Sequence, residues 1–71
     1  MKRVILCLNF VCDEFTANVW LQMYAKSLGV KEAWAKPKQG NLRLVLGQFN
    51  LNEIQRMEEI LKDNPVTLEI E

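Results

Sequence analysis

The chain contains no histidine, a single serine (Ser27), only three glycines and two prolines, and no net charge, with nine basic residues balanced by nine acidic ones. Without histidine, the side chain that ordinarily titrates near neutrality is missing, and general acid-base catalysis loses its commonest agent. The scarcity of glycine and proline excludes a linker or a low-complexity segment. Charge balance argues against a duplex-binding domain, which needs surplus Lys and Arg to displace counterions from phosphate. The longest apolar runs, Val4 to Leu8 and Leu44 to Leu46, are far too short to span a bilayer, so no membrane insertion is expected. Lys2 and Arg3 ahead of Val4–Val11 superficially suggest a leader peptide. Asn9, Cys12, Asp13 and Glu14 break that pattern early.

The remaining chemistry-bearing residues are sparse. The carboxylate pairs Asp13-Glu14 and Glu58-Glu59 suit a helix start and a solvated helix face. Ser27 falls at a helix end with no base in reach. Four residues separate Cys7 from Cys12, no further ligand is in sight, and the pattern is not a zinc site. An extended run between them argues against a disulfide. Gly40 and Gly47 belong to no phosphate-binding fingerprint. The expectation is a protein that is not an enzyme and uses no cofactor or metal.

What is present is enough apolar sequence, 49% of the residues, for one small globular domain over 1–71. Alternation predicts a first strand from Arg3 to Phe10, with Val4, Leu6, Leu8 and Phe10 on one face. Asp13 is expected to cap a helix from Glu14 to Leu28, stopped by Gly29. Two adjacent lines, Phe15-Val19-Met23 and Ala17-Leu21-Tyr24-Leu28, predict a broad apolar stripe on that helix. Lys31 to Lys36 is a weak strand closed by Pro37, which suits a sheet edge. Turn residues Lys38-Gln39-Gly40-Asn41 lead to a third strand, Leu42 to Gln48. Asn50 with Glu53 resembles a capping box for a second helix that presents Leu51, Ile54, Met57, Ile60 and Leu61 to the sheet. Asn64-Pro65 ends it, and Val66, Leu68 and Ile70 alternate in a last strand.

The order βαββαβ predicts an α+β fold of the ferredoxin-like kind: a four-stranded antiparallel sheet with two helices on one face. The first and third strands, the most apolar, are expected at the centre. The opposite face is then open and carries Arg3, Ile5, Cys7, Asn9, Arg43, Val45, Thr67 and Glu69, with Trp34 nearby. Ile5, Cys7, Asn9, Trp34, Arg43 and Val45 are the predicted contact residues. An RNA-recognition sheet would place stacking aromatics at the positions that Ile5, Cys7 and Val45 occupy, which argues against nucleic acid. The leading expectation is a binding module for a protein partner, such as a small inhibitor, adaptor or phage-type regulator, or for a second copy of itself.

The segment from Asn41 through Arg43, Gly47 and Phe49 into a helix starting Leu51-Asn52-Glu53 resembles the second half of a SPOR domain. The run Ile5 to Phe10 and the helix closing on Leu28-Gly29 are similar to its first half. Leu6, Leu8 and Gln48 stand where that family has Gln, Gly and Pro. The resemblance implies binding of denuded peptidoglycan glycan strands, with Arg43 and Asn9 hydrogen-bonding sugar over an apolar floor of Ile5 and Val45. It also implies a periplasmic or cell-envelope location for an excised module, against a cytoplasmic one for a stand-alone chain.

Overall fold

The computed structural model describes residues 1–30, 34–38 and 41–71, with residues 34–38, 41 and 42 described by their backbone alone. Four strands and two helices follow in the order β1 (Lys2–Leu8), α1 (Glu14–Ser27), β2 (Trp34–Lys38), β3 (Asn41–Phe49), α2 (Leu51–Ile60) and β4 (Val66–Ile70). The chain is a small α+β fold. Its sheet is antiparallel in the order β2-β3-β1-β4. The apolar alternation of β1 and β3 explains their interior places, since an interior strand is covered on both sides by neighbours. Pro37 lies in β2, an edge strand, where its missing N–H need not serve a second ladder. The second strand continues through Pro37 to Lys38, past the expected end at Lys36. Residues 31–33 and 39–40, including part of the expected turn, lie outside the described residues.

The core lies on one side of the sheet. Val4 and Leu6 from β1, Leu44 and Leu46 from β3 and Val66 from β4 pack with Leu21, Tyr24 and Ala25 from α1, Ile54 and Met57 from α2 and Leu61 just beyond it. Val4, Leu6, Leu21 and Leu44 are sealed from solvent. Both helices therefore cover the same face.

A bulge in β3 decides which residues reach this core. Val4 pairs with Gly47 while Ile5 pairs with Val45, so Leu46 is an extra residue in the ladder. Gly47 has φ 124°, a conformation that side chains rarely tolerate. Beyond the bulge the facing parity flips. Phe49, opposite Lys2, then packs against the core instead of pointing away from it. The simple alternation of Leu42, Leu44 and Leu46 with Arg43, Val45 and Gly47 stops at Leu46 for this reason.

The helix termini differ in quality. Asp13 occupies the N-cap position of α1, but its side chain makes no capping bond. Asn50 does cap α2: its side chain accepts from the Glu53 N–H at 2.9 Å, and the Glu53 carboxylate accepts from the Asn50 N–H at 3.1 Å. Asn64 closes the far end of α2, donating to the carbonyls of Ile60 and Lys62, while Tyr24 Oη donates to its Oδ1 at 3.3 Å. Two packing expectations are corrected. Leu51 and Ile60 are exposed on α2, and Phe15, Val19 and Met23 are exposed on α1. The lines adjoining them fill the space over the sheet, and a 100° rotation per residue carries the others around to solvent. The first strand also ends at Leu8, two residues before Phe10. Phe10 turns away with the chain and meets Trp20 edge-on at 5.8 Å, and Trp20 in turn stacks on Tyr24 at 6.0 Å.

Candidate functional site

Cross-strand register aligns the far face of the sheet in rows. Lys36, Arg43, Cys7 and Thr67 form one row, and Trp34, Val45, Ile5 and Glu69 form the next. These positions alternate with the core residues, so they occupy the face away from the helices. Among the described residues, no helix or strand packs over this face.

An ion pair closes its centre. Arg43 Nη1 lies 2.8 Å from Glu69 Oε2 and donates to Glu69 Oε1 at 3.0 Å. Arg43 is on β3 and Glu69 on β4, with β1 between them. The pair therefore reaches across β1, where Ile5 and Cys7 stand. Ile5 retains only 5% of its exposure. Ile5 was expected to be an exposed contact residue, and that expectation is corrected here. It lies on the predicted face but is almost closed to solvent.

Cys7 is half-buried in the same arrangement, and its Sγ donates to Glu69 Oε2 at 3.6 Å. Burial pushes its thiol pKa upward; the Arg43 charge opposes the shift and the Glu69 carboxylate adds to it. A thiol held protonated at neutral pH is a poor nucleophile. Val45 is half-buried and Asn9 is exposed, its Oδ1 accepting from Thr67 Oγ1 at 3.2 Å. Toward the start of β1, Arg3 Nε lies 3.7 Å from Glu71 Oε2. Trp34 occupies its register position opposite Val45, and its side chain lies outside the described residues.

The structure thus gathers Cys7, Arg43 and Val45 around Ile5 on one face and leaves Asn9 at its margin. The sequence reading missed the partner of Arg43. Alternation and the expected strand order assigned Glu69 to the same face, but nothing in the sequence shows that its side chain reaches across β1 to Arg43. Among the described residues no three His, Cys, Asp or Glu side chains gather as a metal site, and no helix is long and apolar enough to cross a membrane. Comparison of the chain with family models, curated proteins and solved structures finds no match in any of the three.

Proposed function

We propose that this chain is a non-catalytic binding module whose uncovered sheet face docks a partner protein. The observation that carries this reading is the face itself. Both helices pack on the other side, and half-buried Val45 and Cys7 are set among charges already paired with one another. The arrangement has the mixed apolar and polar character of a non-obligate interface. The Arg43–Glu69 pair fixes two long side chains before any partner arrives, which lowers the ordering penalty of association. The strand order β2-β3-β1-β4, with the helices on one side, supports reading the fold as ferredoxin-like. The absence of histidine and a thiol held protonated support a role without catalysis.

The test compares the tagged wild-type chain with Val45→Asp as bait in extracts of its source cells. A protein retained by the wild type and lost by Val45→Asp, with unchanged circular dichroism, is the expected result. Two binding assays run beside it. Co-sedimentation with amidase-treated sacculi, abolished by Arg43→Ala, replaces the protein reading with the glycan one. Saturable binding of single-stranded RNA or DNA at low salt replaces it with a nucleic-acid one.

A further inference from the structure

Helix α1 has a second apolar face that the core does not use. Ala17, Leu21, Tyr24 and Ala25 are buried against the sheet. Phe15, Val19 and Met23 follow at intervals of four on the outward side and keep 78%, 53% and 49% of their exposure, with Trp20 at 36% on their flank. Residues at such spacing are surface neighbours and make a continuous stripe. The eleven residues from Phe15 to Ala25 carry no charge. A solvent-facing helix ordinarily places Lys, Glu or Arg on that side, and one that is apolar on both sides is ordinarily buried on both. The chain keeps charge for α2, where Glu53, Arg56, Glu58 and Glu59 are exposed.

We infer that α1 is the contact surface between two copies of this chain, packed antiparallel about a two-fold axis at Val19. The distribution of charge selects this occupant and orientation. The acidic residues Asp13 and Glu14 stand at the start of α1, the basic Lys26 stands in its last turn, and nothing charged lies between. A second copy laid antiparallel sets the acidic end of each helix beside the basic end of the other. It also places Phe15 opposite Met23 and Val19 opposite Val19. A two-fold interface requires this self-complementarity, in which one patch matches itself. The Asp13 carboxylate, not spent on capping, remains available for that contact.

Area sets the strength. An aromatic side chain carries about 150–250 Å² of surface. The four exposed residues then offer on the order of 400 Å² per copy, about 800 Å² in all, which is below the size of a stable specific interface and in the range of a weak, transient one. The pair is a reversible dimer that forms as concentration rises. It does not depend on the sheet-face reading, because α1 lies on the other side of the sheet.

Sedimentation equilibrium of the untagged wild-type chain, from micromolar to millimolar concentration, is the test. The average mass is expected to climb from one chain toward two. Val19→Lys places two like charges at the axis and is expected to weaken association by more than about a hundredfold. Because residue 19 is exposed, circular dichroism should be unchanged, and so should the urea transition at low concentration, where both chains are monomeric. Val19→Glu should behave in the same way alone, and an equimolar mixture of the two variants should associate again. The proposal is overturned by a wild-type chain that stays monomeric throughout, by a dimer indifferent to Val19→Lys, or by a mixture that fails to associate.

Discussion

Burial holds the Cys7 proton more tightly in the folded chain than in the unfolded one, with the Glu69 carboxylate adding to the effect against Arg43. The consequence for stability has a definite sign. Below the ordinary thiol value of about 8.5, Cys7 is protonated in both states and its contribution is fully present. As pH rises through that value, the unfolded chain releases the proton first, so the folded state loses ground. Wild-type stability from urea melts should therefore fall between pH 8 and 10 more steeply than that of Cys7→Ala. Parallel slopes for the two proteins would refute the assignment. The Arg43–Glu69 pair above it is partly exposed and contributes little by itself, in the range of about 0–1 kcal/mol. Its larger effect is geometric, because it ties β3 to β4 across β1.

The two helices are secured by different means. In α2 the reciprocal bonds between Asn50 and Glu53 satisfy two backbone N–H groups that the first turn leaves unpaired. Asn50→Ala should lower stability by about 1 kcal/mol in urea denaturation. Glu53→Ala should cost less when Asn50 is already Ala than it does in the wild type, since each residue positions the other. A cycle with no coupling would show that the box contributes nothing as a unit. In α1, where Asp13 makes no capping bond, Leu21, Tyr24 and Ala25 hold the helix through burial. Packing, not local hydrogen bonding, fixes that element. Its outward stripe can therefore vary toward association without loosening the fold.

For the molecule as a whole, one thin core does most of the stabilising. A domain of this size buries only about 60% of the surface its unfolded chain exposes, so each core residue carries a large share. Leu6 sits on an interior strand, sealed from solvent and flanked by Leu44 and Leu68. Leu6→Ala should remove about 2–5 kcal/mol, enough to unfold a sizeable fraction of the chains. Leu51→Ala, on the exposed side of α2, should change stability by less than about 0.5 kcal/mol. Urea midpoints for the two variants check both, and equal losses would contradict the core described above. At this scale the two proposed surfaces also become independent. A pair joined through α1 leaves both sheet faces free.

The order of elements, the capping of α2, the stop at Gly29 and the division of β1 and β3 into two faces were legible in the residues, because they rest on periodicity and local hydrogen bonding. The run of β2 through Pro37 to Lys38 was not, since its residues carry weak strand preferences and pairing with β3 carries it on. Nor was the bulge at Leu46–Gly47, which turns Phe49 inward through a register known only once β1 lies alongside. The candidate site divides in the same way. Alternation along each strand was sufficient to assign Cys7, Arg43 and Val45 to one face. Only the tertiary arrangement brought Glu69 across β1 to Arg43, covered Ile5, and left Phe15, Val19 and Met23 outside. A sequence sets which residues can share a face of an element, but the finite width of a four-stranded sheet decides which of two apolar helix lines finds room against it.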